Sequence, residues 1–221
     1  MDLTQFRATV AQGAPPDGLS FALQTLWWDA KGDWDRAHQC AQQDEGKAGA
    51  IVHAYLHRKE GDMRNAGGWY SRAGRDPATV SLDAEWQSLA DEMLTLDAVE
   101  GARAAMDGFM AAFNARDADA IRSRWFHFPH VRFHSGTVTV MQRPDDYHNL
   151  VWNGTGESEG WGRSAWDYVE VIDAGPAKVH FRVQFTRYRD DGSPIGSYRS
   201  LYIVTVKDDR WAIQCRSSWA A

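Results

Sequence analysis

At 221 residues the chain has room for one large or two small domains, each able to bury a core. Its 24 Lys and Arg against 30 Asp and Glu leave a net charge of -6, no electrostatic footprint for nucleic acid or an anionic membrane, so neither is expected as a partner. The 2 cysteines, Cys40 and Cys215, fall in segments assigned below to different domains, which argues against a disulfide framework and for a reducing compartment. Met1-Asp2-Leu3-Thr4-Gln5 lacks a basic region followed by an apolar run, and no segment approaches the roughly 18 apolar residues of a membrane helix. A cytoplasmic location is therefore expected. The 11 Trp are read as core or pocket wall.

After a Gly/Pro break at residues 13–18, Leu19 to Ala30 carries Leu23, Leu26, Trp27 and Ala30 at helical spacing. Gly32-Asp33-Trp34-Asp35-Arg36-Ala37 closes one helix and starts another, and Gly61-Asp62-Met63-Arg64-Asn65-Ala66 repeats the arrangement 29 residues on (61 minus 32). Two related helical hairpins follow from that spacing. Gly61, Ala66, Tyr70 and Ala73 resemble the small-and-aromatic pattern of the tetratricopeptide repeat in degenerate form, and Leu26 to Arg75 resembles a small bacterial helical family. Such a module implies contact with a protein partner.

His53, His57 and Glu60 stand at i, i+4 and i+7, a stripe from which a helix can offer metal ligands, and His38 is placed to complete a set from the neighbouring helix. A helix rich in His, Arg, Lys and Glu is more often a solvated face, and no HExxH pattern occurs. That reading is preferred, and no metal or other cofactor is assigned. From Pro77 the chain turns, and Leu82 to Leu96 is expected to form a further helix with Leu82, Trp86, Leu89 and Met93 on one face, which either caps the hairpins or leads into the second domain. A boundary near Asp97 to Gly101 divides the chain into domains 1–97 and 98–221.

Ala102 to Asn114 reads as a helix with Met106, Phe109, Met110 and Phe113 inward, and Asp117 as the N-cap of a short helix through Trp125. Val131 to Gln142 reads as a hairpin around Ser135-Gly136, and Trp166 to Ile172 as a strand. In Lys178 to Arg189, Val179, Phe181, Val183 and Phe185 alternate with His180, Arg182, Gln184 and Thr186, the two-residue period of a strand with two faces. Turns at Asp190–Pro194 and Lys207–Asp209 continue it as an antiparallel meander to Trp219.

The string Phe113-Asn114-Ala115-Arg116-Asp117-Ala118-Asp119-Ala120-Ile121, with these strands behind it, resembles the opening of the nuclear transport factor 2-like superfamily in its SnoaL-like branch. The resemblance covers Ala102 to Ala221. It implies a cone: a curved antiparallel sheet wrapped on helices, with a pocket at the open end and pairing of two copies through the sheet's outer face. The whole chain is thus expected to be α+β, a tetratricopeptide-like helical domain followed by the cone. Members of the superfamily include isomerases, dehydratases and cyclases as well as binding and dimerisation modules, so the fold does not choose a function.

The candidate site comes from this chain's own residues. Phe126 to His134 holds His127, His130 and His134 with Arg132, and His130, Arg132 and His134 share one strand face. Turned inward, that face would meet Arg182 and Arg216, with Gln214 and Trp166 nearby, an arrangement suited to a small organic, anionic ligand. The competing arrangement turns Val131 and Phe133 inward and leaves Arg182 and Arg216 as salt bridges to Glu170 or Asp167. The preferred function is a ligand-pocket or dimerisation domain joined to a helical interaction module. The alternative is an enzyme using His127, His130 or His134 as general base. A carboxylate from Asp145, Asp167 or Glu170 buried beside one of these His would favour the enzyme. The polar, Gly-containing stretch 145–162 is expected to loop over the pocket mouth.

Overall fold

The computed structural model describes residues 1–134, 136–148, 151–153 and 159–219. The chain divides into two compact units, Met1–Asp97 and Ala98–Ala221. Among the described residues no helix is long and apolar enough to cross a membrane.

The first unit is helical: α1 (Leu3–Thr9), α2 (Phe21–Lys31), α3 (Trp34–Gln43), α4 (Lys47–Glu60), α5 (Met63–Ala73) and the start of α6 (Leu82–Asn114). The 29-residue repeat is a repeated cap. Gly32 and Gly61 end α2 and α4 in the left-handed region, at φ 84° and 96°, which glycine adopts without a Cβ penalty. Asp33 and Asp62 then accept the backbone N–H of Arg36 and Asn65, capping α3 and α5. Each Gly-Asp pair thereby folds one helix back on the next. The core they enclose includes Phe6, Leu26, Trp27, Leu56, Tyr70, Trp86 and Met93. Two acids are buried in it with partners: Asp29 accepts from Tyr55 and Lys59, and Glu85 accepts from Tyr70 and Arg58.

Leu82–Asn114 is one helix of 33 residues, where a break near Asp97 to Gly101 was expected. That stretch contains no proline, and the single Gly101 costs only about 1 kcal/mol relative to alanine, too little to end a helix packed along its length. Gly101 and Gly108 have a packing reason. A methyl group at the first would overlap the Trp211 ring, and at the second the Trp125 ring.

In the second unit α6 ends in the turn that carried the family resemblance. Arg116 takes the left-handed region at φ 60°, and Asp117 caps α7 (Ala118–Ala120) by accepting from Ala120 N–H. A π-helical turn, Ile121–Trp125, leads into β1 (Phe126–His134). The strands β2 (Thr137–Met141), β3 (Trp161–Gly175), β4 (Lys178–Arg189), β5 (Pro194–Lys207) and β6 (Arg210–Ser218) complete one six-stranded sheet in the order β2-β1-β6-β5-β4-β3. The meander β3 to β6 is antiparallel, but β1 pairs with β6 in parallel. The sheet is therefore mixed and not wholly antiparallel. Only strands joined by a tight turn must be antiparallel, and a long stretch of chain separates β1 from β6. Asp208 and Asp209, both at positive φ, form the two-residue turn between β5 and β6.

Register shifts interrupt the ladders of β1/β6, β3/β4, β4/β5 and β5/β6. Each extra residue bends its strand, and together they curl the sheet around α6 into the cone. Phe109 and Phe113 of α6 pack with Phe126, Phe181, Val183, Tyr202 and Ile213 of the strands. Asn114 fixes the end of α6 to β3 through paired 2.8 Å bonds with the backbone of Ser164. Beyond that point the inward positions of the strands face a cavity.

Candidate functional site

The cavity of the second unit holds about 50 Å³ and is lined by aromatic residues of α6, β4 and β5 (Phe109, Phe113, Phe185, Tyr198, Tyr202), by Tyr147 and His148, and by Arg132, His134, Arg187 and Arg216 of the strands. On the same scale one water needs about 10–15 Å³, so the space suits a group of a few heavy atoms. Among the described lining residues there is no Asp or Glu.

The cations are brought together by the sheet. Arg132 of β1 and Arg216 of β6 are direct cross-strand partners, a like-charge pairing that destabilises a sheet unless something binds to it. Arg187 enters from β4 at the end of the core-facing row Val179, Phe181, Val183, Phe185. Aromatic faces hold Arg216 and Arg187. Arg216 lies 5.1 Å from the Phe126 ring centre and 5.6 Å from Phe109, and Arg187 lies 4.3 Å from Tyr198. Among the described residues no ion pair includes Arg132, Arg187 or Arg216. The Nε atoms of Arg187 and Arg216 are buried without a hydrogen-bond partner. Burial, then the Arg216 charge, pushes Arg132 down to about 10, which still leaves it charged at neutral pH.

Of the residues picked from sequence, Arg132, His134 and Arg216 line the cavity, and Phe133, their neighbour on the opposite face, is 42% exposed. Trp166 stands behind the lining, edge-on to Phe185 and Tyr202. The others lie elsewhere. Arg182 is on the outer face, paired with Glu170 at 3.1 Å, because it alternates with the core-facing Phe181 and Val183. Gln214 donates to the Pro129 carbonyl. It is the extra residue of β6 where the register shifts between Ile213 and Cys215, so the two-residue count back from Arg216 fails there.

His127 is buried, with Nε2 3.0 Å from the Arg210 carbonyl and Nδ1 3.2 Å from the Arg210 guanidinium. Both ring nitrogens are thereby engaged in structure. His130 is fully buried, stacked on Phe126 at 3.9 Å, and its Nδ1 donates to the Ile213 carbonyl at 3.1 Å. Burial and the Arg216 charge lower its pKa to about 3. Neither ring lines the cavity. The three acids that would have favoured an enzyme are solvent-exposed: Asp145, Asp167, which accepts from Thr186 and Gln184, and Glu170. Sequence reasoning missed Arg187, although the alternation from Val179 to Phe185 reaches it in one more step. Residues 149–150 and 154–158 of the stretch expected to loop over the pocket mouth, and residue 135 of the expected hairpin turn, lie outside the described residues.

Residues 99–217 match the family model described as NTF2-like protein (DUF6841). The chain belongs to this NTF2-like family. The match lies within the second unit, the NTF2-like domain, and agrees with its cone of strands on α6. No curated protein matches the chain. Similar solved structures include a ketosteroid isomerase-like protein from Erwinia carotovora atroseptica SCRI1043, 19% identical, with a TM-score of 0.40 over 54% of this chain and 93% of that one. An NTF-2 like protein of unknown function from Shewanella oneidensis MR-1 is 16% identical, with a TM-score of 0.40 over 55% and 98%. Hexachlorocyclohexane dehydrochlorinase LinA-type3 from Novosphingobium barchaimii LL02 is 12% identical, with a TM-score of 0.41 over 56% and 86%. At that distance none of the three bears on what the NTF2-like domain does.

The helical unit holds a second cluster. His38 of α3 and His53 and His57 of α4 each present a ring nitrogen within 4.8 Å of the others. His53 and His57 are 2% and 6% exposed, so the solvated-face reading of α4 is overturned. Residues 49–57 are all buried, because α4 packs against α2, α3 and α5. Burial, then the neighbouring His38, lowers His53 to about 4, and burial also lowers His38.

Proposed function

We propose that the NTF2-like domain is a binding domain for a small organic anion, a carboxylate or phosphate monoester whose charged end sits among Arg132, Arg187 and Arg216. The observation that carries this reading is the cross-strand pairing of Arg132 with Arg216 in a cavity whose described lining has no acid. Three guanidinium groups without a counter-ion among the described residues destabilise the empty protein, and an anion with two or three acceptor oxygens satisfies them bidentately. The aromatic walls would take the organic part of the ligand. A reaction in the isomerase, dehydratase or cyclase manner is less well supported, since His127 and His130 are occupied by β6.

The same proposal makes the chain a two-domain protein, 1–97 and 98–221, whose helical part is a degenerate tetratricopeptide-like module that contacts a protein partner. Its paired Gly-Asp caps support that part of the reading. Pairing of two copies through the outer face of the sheet is proposed on the exposed apolar residues Phe133, Val138 and Val140. A cytoplasmic setting fits the free thiols of Cys40 and Cys215.

A thermal-shift screen over small carboxylates, phosphate esters and their neutral amide or alcohol counterparts tests the binding role. The melting temperature is expected to rise with the anions and not with the neutral compounds. No shift with any compound would indicate a purely structural or dimerisation role.

A further inference from the structure

We infer that the helical unit carries a metal site of its own, in which one ring nitrogen each of His38, His53 and His57 binds a divalent transition ion of the zinc class. The three rings converge from two helices, with centroids 4.6, 5.0 and 5.3 Å apart. His53 Nε2 is 2.9 Å from His38 Nε2. Ligand nitrogens on a tetrahedral ion at 2.0–2.1 Å stand about 3.3 Å apart, so small side-chain rotations bring the set into range. Imidazole nitrogens suit zinc, copper, nickel and iron, and three of them leave a fourth position for water.

The surroundings hold the rings as a metal site requires. Trp34 stacks on His38 at 4.7 Å and Trp69 on His53 at 3.9 Å, which fixes both ring planes. Glu60 lies 3.0 Å from His57 Nδ1, the carboxylate-to-imidazole contact that orients a metal-binding His through its other nitrogen. Asn65 Nδ2, now 3.1 Å from His57 Nε2, is the group the ion would displace. Hydrogen bonding alone accounts poorly for the cluster. A pair of imidazoles shares one proton, the third ring adds no acceptor between them, and His53 Nδ1 is buried without a partner. Trp34 and Glu60, which touch His38 and His57, also line a cavity of about 340 Å³ with Asp29, Gly32 and Lys59.

The test is calorimetric titration of the full chain, stripped with chelator, with zinc chloride, and with cobalt chloride read by its visible spectrum. One zinc per chain at micromolar affinity or tighter is expected, with a tetrahedral cobalt spectrum and a higher melting temperature in zinc. His38→Gln, at the most exposed of the three positions, should lose at least about 10-fold in zinc affinity and the cobalt signal, with an unchanged circular dichroism spectrum. His180→Gln, on the NTF2-like sheet, should change neither. Absence of binding below millimolar zinc would overturn the inference, and so would equal affinity in the wild type and His38→Gln.

Discussion

Arg132→Met is expected to stabilise the protein in the absence of ligand and to weaken its binding of anions. Arg132 faces Arg216 across β1 and β6, and burial with that neighbour pushes its pKa down to about 10. A cation whose folded pKa lies below its unfolded value costs stability wherever it stays charged, here about 1–3 kcal/mol at neutral pH for a partly buried group. Methionine removes the charge and retains much of the apolar stem. The melting temperature without ligand should therefore rise by a few degrees, since about 1 kcal/mol moves it by roughly 2–8 °C in domains of this size. Saturating carboxylate should reverse the order, because the wild type gains binding energy that the variant has lost. A ligand-free variant less stable than the wild type would mean that Arg132 has a partner in the empty cavity.

Acid should unfold the NTF2-like domain through His130. Its Nδ1–H donates to the Ile213 carbonyl, so the neutral tautomer leaves Nε2 unprotonated, and Nε2 is buried without a partner. A proton added there finds no acceptor and creates a charge beside Arg216 and Arg132, the charges that together with burial hold the pKa near 3. Because the folded pKa lies below the unfolded value of about 6.5, the unfolded chain binds more protons between the two. Stability is thus fully present above about pH 6.5 and falls as pH drops toward 3, by about 3 kcal/mol between pH 7 and 4. His127 is also lowered by burial and by Arg210 and acts in the same direction, so the informative quantity is a difference. His130→Phe keeps a ring against Phe126, and its urea-unfolding free energy should fall by about 3 kcal/mol less than that of the wild type over this range. Parallel pH profiles for the two proteins would show that the His130 ring takes up a proton without cost.

The elements of both units were largely legible in the sequence, because they rest on local chemistry. The Gly-Asp pairs at 32–33 and 61–62 mark both the end of one helix and the cap of the next. The alternation from Val179 to Phe185 identified the buried face of β4. What failed depended on how far each surface extends. The polar face of β4 was expected to line the pocket, yet the cavity is lined by the core-facing row, continued by Arg187 past the end of α6. The residue after a run of apolar positions is informative for that reason, since a cone keeps its inward face beyond the helix that fills it.

Gln214 was misplaced because a bulge resets the count, and nothing in Ile213-Gln214-Cys215 announces one. The burial of His53 and His57 was equally hidden. A helix covered on several sides needs no apolar stripe, and its composition alone looks solvated. The parallel pairing of β1 with β6 is a long-range choice that no local period encodes.

The binding of an anion by the three guanidinium groups is tested most directly by titrating wild type and Arg216→Gln side by side with the best carboxylate from the thermal screen, at fixed pH and two salt concentrations. The arrangement of Arg132, Arg187 and Arg216 predicts one site per chain, weaker at higher salt, with a loss of at least about 10-fold in the variant, the roughly 1.5–3 kcal/mol expected of a hydrogen bond to a charged group. Equal affinity in the two proteins, or binding that ignores the charge of the ligand, would contradict it.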